Sequence, residues 1–294
     1  MTAPYLLTRR DLFTGLRTAT GAVRSSAYTP VESFYRESRN HYPVVQSEYW
    51  RLTLARGIQE LASVSYEDLL ASPATEIEAT LCSYAVRSSS ALIGHGRWRG
   101  VALRDLLPER STYVRVISAD GRDTTLTRQQ LESAVMAYTL NGVELPAALG
   151  YPVRLIVPGM YDHKCPGWVT RIELTDTPAP DYWSRHGKAL PDEVQPFAHI
   201  EQVLQPTRDD TPYRLRGIAY AGLRAIQRVE VSIDDGDWTP VSLAAGAPGC
   251  WSHWHADWLP ALPGSYALRV RASTEDLEYA DLLPPFIVNV EAVA

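Results

Sequence analysis

This sequence has few cysteines, no excess of basic residues and no long apolar run. The 294 residues include three cysteines, Cys82, Cys165 and Cys250, and no Cys-x-x-Cys pair, which argues against a disulfide framework or a structural zinc site. Lys and Arg number 28 against 34 Asp and Glu, so the net charge is -6. No run approaches the roughly 20 apolar residues of a membrane-spanning helix. We therefore expect neither a nucleic-acid partner nor a membrane association.

The composition is that of a folded protein with more than one core. Hydrophobic residues make up 45% and charged residues 21% of the chain, and its length suits two domains. Residues 8–13 include Arg9-Arg10 and resemble a twin-arginine export motif, but Arg17 interrupts the apolar segment that an export signal needs. Residues 1–30 are therefore predicted to be an N-terminal arm or a remnant signal. We expect a cytoplasmic protein, with periplasmic or secreted as the alternative.

Residues 31–180 alternate between patterns typical of strands and of short helices. Residues 50–54 alternate with period two and predict a strand. Ser65 with Asp68, and Thr127 with Gln130, have the spacing of helix N-caps and predict two helix starts. This mixture predicts an α+β fold, with a mixed α/β first domain.

Residues 181–294 are predicted to be a linker followed by an all-β domain. Five prolines lie between residues 178 and 208 and indicate a linker there. Apolar residues then alternate through 229–233 and 266–270, and Asp234–Asp237 is typical of a turn. Short strands separated by turns over about 90 residues predict an immunoglobulin-like sandwich.

Several segments, in this order, resemble the molybdopterin domain of the sulfite oxidase family. The similarity extends from about residue 34 to residue 174. It is carried by RNHYPV at 39–44, TLCSYAVR at 80–87, GHGRWRGVAL at 94–103, AYTLNGVELP at 137–146 and GYPVRLIVPG at 150–159. The resemblance implies a molybdenum-pterin cofactor, a molybdopterin-binding catalytic domain and an immunoglobulin-like dimerisation domain.

The resemblance also implies roles for residues of the catalytic site. Cys82 stands at the position of the molybdenum ligand, and a soft thiolate suits that metal. Arg39 and Arg87 stand at positions that face an oxyanion substrate, which guanidinium groups bind well. Tyr138 stands where a phenol assists proton transfer. The alternatives are a buried structural cysteine, surface ion pairs and a tyrosine that bonds to the backbone.

A second set of positions matches residues that hold the pterin and its phosphate. The resemblance implies that role for Asn40, His41, Asp120, Arg154 and Lys164, each of which would otherwise be an ordinary polar residue.

Four positions depart from the family pattern. Ala85 replaces an asparagine, Leu149 a histidine and Gly167 a lysine, and no arginine stands near Asn289 in the last strand. We expect weaker recognition of sulfite and a preference for a larger or less charged substrate.

We therefore expect an oxidoreductase that moves an oxygen atom to or from a small substrate. No haem-attachment motif is present, so a separate electron donor or acceptor is expected, and the resemblance implies a homodimer. The alternatives are an enzyme repurposed for an organic substrate in a specialised pathway, and a cofactor-free binding or scaffold protein. His253 and His255 with Cys250 also suggest a metal site, although a His-x-His pair is equally typical of an ordinary strand.

Overall fold

The computed structural model describes residues 28–36, 42–87, 92–205, 211–244, 246, 249–277 and 284–290. Strands dominate these ranges, and the α-helices in them have only four to six residues. The predicted mixture of helices and strands is therefore confirmed only in part, because the first domain is mostly β. None of the described helices is long and apolar enough to cross a membrane. The Arg9-Arg10 segment lies outside the described residues.

The described part of the first domain contains two sheets, three short α-helices and several 3-10 turns. Its strands are β1 Arg51–Arg56, β2 Gln59–Ser65, β3 Thr75–Cys82, β4 Ile93–Ala102, β5 Tyr113–Ser118, β6 Asp123–Thr127, β7 Val135–Leu140, β8 Val143–Glu144, β9 Arg154–Ile156 and β10 Val169–Thr175. Its helices are α1 Tyr66–Ala71, α2 Leu103–Leu106 and α3 Arg128–Ser133. One sheet has the order β2-β1-β10-β5-β6, and the other has the order β3-β4-β7-β8 with β9 paired to β7.

Local sequence signals set the helix starts. Ser65 and Asp68 form a reciprocal capping box at α1, and Thr127 and Gln130 form another at α3, so both predicted starts are confirmed. Each box satisfies backbone N–H groups that have no partner within the helix. The predicted first strand is also present, as β1, where Leu52 and Leu54 are fully buried.

The second domain consists of two four-stranded antiparallel sheets around one apolar core. Its strands are β11 Phe197–Leu204, β12 Tyr213–Tyr220, β13 Arg228–Ile233, β14 Thr239–Pro240, β15 Ser242–Ala244, β16 Ser252–Trp258, β17 Gly264–Ser273 and β18 Phe286–Val290. The sheet orders are β11-β12-β16-β15 and β14-β13-β17-β18. Leu215 and Trp254 from the first of these sheets share the core with Val229 and Val270 from the second.

The segment predicted as a linker is more ordered than its prolines suggest. It contains helix α4, Tyr182–Arg185, and the whole of strand β11. Strand β11 follows Pro196 directly and forms the edge of a sheet, where a preceding proline removes no ladder hydrogen bond. The prediction of a linker was therefore wrong for residues 197–204, where Pro196 directly precedes a strand.

Candidate active site

Cys82 ends strand β3 in a small aromatic cluster where the two domains meet. The cluster contains Tyr161 from the first domain, Val194 from the connecting segment, and Phe197 and Tyr220 from strands β11 and β12. The Cys82 side chain is fully buried, and its Sγ lies 3.6 Å from the Ser83 carbonyl oxygen. The position predicted to bind the metal is therefore enclosed by residues of both domains.

The Cys82 thiol is strongly held in its protonated form by its surroundings. Burial raises its pKa well above the ordinary value, and the negative charge of Asp162 adds to this rise. A thiolate at this position therefore requires a strong positive partner, and a bound metal ion supplies such a charge.

A polar cleft lies close to this cluster, and Asp162, whose charge acts on Cys82, lines it. Its walls come from loops of the first domain and from helix α4, and they are formed by Tyr35, Asp120, Arg122, Asp123, Ala148, Arg154, Asp162, His163, Pro166, Gly167, Trp168 and Trp183. Tyr35 donates a hydrogen bond to the Asp162 carboxylate at 3.2 Å. Two of the predicted cofactor residues, Asp120 and Arg154, thus line one cleft.

Trp168 holds a backbone conformation that is rare for a bulky side chain. Its φ is +53°, in the left-handed region, and such outliers concentrate at functional sites. Three hydrogen bonds fix this conformation: Trp168 N donates to Gly150 O at 3.0 Å, Nε1 donates to Ala147 O at 2.8 Å, and Ala119 N donates to Trp168 O at 2.8 Å. The indole also stacks on Tyr42, which follows the predicted pterin residues 40 and 41.

Arg154 brings a buried, unsatisfied donor to the cleft. Its Nη1 donates to the Leu149 carbonyl at 3.3 Å, whereas its Nε is buried and has no hydrogen-bond partner among the described residues. A buried guanidinium nitrogen without a partner is costly unless a ligand satisfies it. Arg154 therefore brings an unsatisfied guanidinium N–H to the lining of the cleft, and its predicted role with the pterin phosphate stays a prediction.

Asp120 and Lys164, the other two predicted pterin residues that the structure describes, differ in whether their side chains can reach a ligand in the cleft. Asp120 pairs with Arg122 at 3.3 Å at the cleft wall. Lys164 is buried, donates to the Thr125 carbonyl at 2.6 Å and pairs with Asp192 at 3.3 Å. Asp120 thus reaches the cleft, while Lys164 is engaged in contacts within the protein.

Tyr138 is not among the residues that line the cleft or form the Cys82 cluster. Its side chain is buried in the main core of the first domain, close to Tyr66. Its predicted role in proton transfer stays a prediction.

Tyr220, which the sequence did not single out, is one of the tyrosines that cluster with Cys82. Its hydroxyl is buried beside the Thr80 hydroxyl and has no well-formed hydrogen bond to a described residue. Burial raises its pKa strongly, and the neighbouring Cys82 contributes to the rise. About 140 residues separate Tyr220 from Cys82, so no local motif links them.

Some predicted residues cannot be placed. Arg39, Asn40 and His41 lie outside the described residues. Arg87 ends a 3-10 helix, Tyr84–Arg87, that directly follows Cys82 and Ser83, but its side chain is not described.

The departures at Gly167 and Leu149 have structural explanations. A Cβ at Gly167 would stand 2.5 Å from the Gly150 Cα, so no lysine fits unless the two loops separate. Leu149 is fully buried, and its carbonyl accepts from Arg154. The close contact of the two glycines thus takes the place of a longer side chain at the cleft.

Comparisons with known proteins agree with this arrangement. Residues 39–183 match the family described as oxidoreductase molybdopterin binding domain. The chain is 26% identical to the inducible NADH nitrate reductase 2 of Glycine max, over 85% of this chain and 36% of the relative. It is 27% identical to the mitochondrial sulfite oxidase of Rattus norvegicus, over 72% of this chain and 48% of the relative. The chain thus spans between a third and a half of the length of these relatives.

A solved structure shares the fold across both domains. The sulfane dehydrogenase SoxCD from Paracoccus pantotrophus superposes with a TM-score of 0.70 at 21% identity, covering 85% of this chain and 74% of that one. This likeness shows a shared fold. The match at residues 39–183 and the sulfite oxidase and nitrate reductase relatives support a molybdopterin-binding protein of the sulfite oxidase family.

Proposed function

We propose that this protein is an oxidoreductase that uses a molybdenum-pterin cofactor to move an oxygen atom to or from a small substrate. The observation that carries the proposal is the buried, unsatisfied Arg154 Nε at a cleft that is also lined by Asp162, whose charge acts on Cys82. The family match at residues 39–183 supports the identity of the cofactor.

The described donor set fits a phosphorylated pterin. Arg154 and Arg122 offer positive charge to a phosphate, and Asp120 offers acceptors to the amino groups of a pterin. Cys82 would bind the molybdenum after losing its thiol proton. When bound, this cofactor supplies the two-electron chemistry, while the protein binds, orients and shields it.

The surroundings of Cys82 favour a substrate with little negative charge. Tyr161, Phe197 and Tyr220 form an aromatic wall, and Asp162 adds negative charge nearby. The sequence also has no counterpart near Asn289 for an arginine of the family pattern. The loss of one such charge-assisted contact weakens anion binding by about 1.5–3 kcal/mol, which is about 10- to 150-fold in kcat/KM. We therefore propose that sulfite is a poor substrate and that a larger organic molecule is preferred. A kcat/KM for sulfite near the diffusional ceiling of about 10⁸ M⁻¹s⁻¹ would overturn this proposal.

We propose that the second domain is an immunoglobulin-like sandwich that mediates a homodimer. We also propose that a separate partner donates or accepts the electrons of the redox reaction. The two antiparallel sheets around one core support the sandwich assignment. Light scattering on the purified chain tests the dimer, for which a monomeric mass at all concentrations is the contrary result.

Cofactor analysis of protein from a host that supplies the molybdenum cofactor tests the proposed function. We expect one molybdenum and one pterin per chain. Cys82→Ala should lose molybdenum, whereas Cys165→Ala, which alters an equally buried thiol of the same domain, should retain it. Arg154→Met should lower the pterin content, and Arg104→Met, at an exposed surface ion pair, should not.

A folded wild-type protein without molybdenum would instead support the cofactor-free scaffold. Wild-type molybdenum content in Cys82→Ala would remove Cys82 from the metal site while leaving the family assignment intact.

A further inference from the structure

Three residues with metal-binding side chains meet at a second place between the domains. They are Glu78 on strand β3, His95 on strand β4, and Cys250 in the segment before strand β16. One ligand atom from each lies within 4.8 Å of the other two. His95 is buried, Cys250 is half-buried and Glu78 is exposed, so an ion can reach the cluster from solvent.

The hydrogen bonds around Thr80 determine which nitrogen of His95 is available. The Thr80 hydroxyl donates to the Gly249 carbonyl at 2.7 Å, because a carbonyl oxygen only accepts. The same hydroxyl lies 2.9 Å from His95 Nδ1, so its oxygen accepts the Nδ1–H. Nε2 of the neutral ring is then left with a lone pair, and it faces the Cys250 Sγ at 3.2 Å.

This is the arrangement that metal-binding histidines require. A ligating histidine donates its other ring N–H to an outer partner, which fixes the tautomer and the ring orientation. In a tetrahedral zinc centre, ligand sulfur and nitrogen atoms lie about 3.5 Å apart, given Zn–S of about 2.3 Å and Zn–N of about 2.0–2.1 Å. The observed 3.2 Å between Sγ and Nε2 needs only a small expansion.

Neighbouring groups hold the three side chains in place. Tyr28 donates a hydrogen bond to the Glu78 carboxylate. Thr29 bonds to the backbone of His95 on both sides: Thr29 N donates to His95 O at 2.7 Å, and His95 N donates to Thr29 Oγ1 at 3.1 Å. The Trp251 ring packs edge-on against the imidazole, with centroids 5.8 Å apart. The ligand set is thus supported from residues of both domains.

An alternative use of the Cys250–His95 pair, as a thiolate nucleophile with an imidazolium, is disfavoured. Burial raises the pKa of Cys250 and lowers the pKa of His95, and both shifts favour the neutral pair.

We propose that Glu78, His95 and Cys250 form a binding site for one zinc ion that joins the two domains, with a water molecule as the fourth ligand. Thiolate, imidazole and carboxylate are all zinc ligands, and their combination with one open position is typical of this metal. Binding releases the Cys250 thiol proton to solvent. The proposal does not depend on the pterin cofactor, because Cys82 and the cleft supply none of these ligands.

Titration of the chelator-treated full-length protein with Zn²⁺, followed by calorimetry, tests the site. Loss of an outer partner of a zinc ligand weakens binding by about 10- to 100-fold, so loss of a ligand should cost at least that much. We expect such a loss for Cys250→Ser and for Glu78→Gln, whose exposed position makes misfolding of that variant a minor concern. Zinc should also raise the thermal unfolding midpoint of the wild type, because it binds only the folded protein.

Matched controls separate this site from other ligands. His253→Ala and His255→Ala remove exposed histidines from strand β16 and should retain wild-type affinity, as should Cys82→Ala. Titration with Co²⁺ should give a thiolate-to-cobalt absorption band in the wild type and none in Cys250→Ser. The proposal is overturned if the wild type fails to bind zinc, or if both Cys250→Ser and Glu78→Gln bind it as tightly as the wild type.

Discussion

Asp123 of strand β6 and Arg185 of helix α4 form a hydrogen-bonded ion pair that fastens the connecting segment to the wall of the polar cleft. Arg115 completes the arrangement from the other side, with its Nε donating to Asp123 at 2.6 Å. Burial alone would raise the pKa of Asp123, but hydrogen bonds from Arg185 and Arg115 outweigh it, and the pKa lies below the ordinary value of 3.8.

This arrangement predicts a pH-dependent contribution to stability. A carboxyl group whose pKa is lowered by folding stabilises the protein above its unfolded pKa, and this stabilisation is lost as the pH falls through the folded pKa. We expect Asp123→Asn to lower the free energy of unfolding by about 1–3 kcal/mol near neutral pH, and by less in acid. Urea unfolding at several pH values measures the difference. Asp257→Asn, at an exposed ion pair with Arg214, should leave the unfolding midpoint unchanged, and an equal loss there would contradict the prediction.

The contact between Gly150 and Gly167 predicts that neither position tolerates a side chain. Gly167→Ala places a Cβ 2.5 Å from the Gly150 Cα, and overpacking of this kind costs about 1–3 kcal/mol. Thermal unfolding should show a lower midpoint. Gly264→Ala is the control, because its Cβ would meet only the Tyr266 ring edge at 3.9 Å. Equal midpoints for the two variants would show that the loops separate without cost.

The three thiols should differ in reactivity. Burial raises the pKa of Cys165 to about 11 and that of Cys82 still more strongly, while Cys250 is half-buried. In the native, zinc-free protein a thiol reagent should therefore modify Cys250 first, and Cys82 and Cys165 only after unfolding. Peptide mass spectrometry identifies the modified residue. Early modification of Cys82 would mean that its cluster opens in solution.

The two candidate tyrosines are separated by matched substitutions in the cofactor-loaded enzyme. If Tyr220 assists proton transfer beside Cys82, Tyr220→Phe should lower turnover by about 10²-fold without changing the molybdenum content. Tyr138→Phe, in the core of the first domain, should then have little effect on turnover. The reverse result would support the role predicted for Tyr138 from the family resemblance.

Features encoded in neighbouring residues were predictable from the sequence. The capping boxes at Ser65 and Thr127 need only residues three positions apart, and the Asp234–Asp237 turn joins adjacent runs. Positive φ at Asp234 and Asp235 is typical of such a turn. Likeness to a known family suggested Asp120 and Arg154 as pterin-binding residues; both line the polar cleft, and their role stays a prediction.

Features that depend on distant residues were not predictable in the same way. The sequence suggested His253 and His255 as partners for Cys250, because they are near in the chain. In the structure both histidines are exposed, and Cys250 contacts His95, 155 residues away. Tyr220 joins Cys82 only because strand β12 packs against the end of strand β3. Spacing along the chain carries no information about such contacts.

The parallel pairing of β1 with β10 has a consequence for biosynthesis. Thr53 pairs with Arg171, 118 residues later in the chain. During synthesis, the β1–β2 hairpin therefore has one unpaired edge until β10 has been made. Contacts this distant slow folding, and unpaired strand edges invite aggregation in the interval. The cleft wall that includes Trp168 directly precedes β10, so a pterin delivered earlier to the growing chain would find an incomplete wall. We therefore expect cofactor insertion to follow the synthesis of almost the whole first domain.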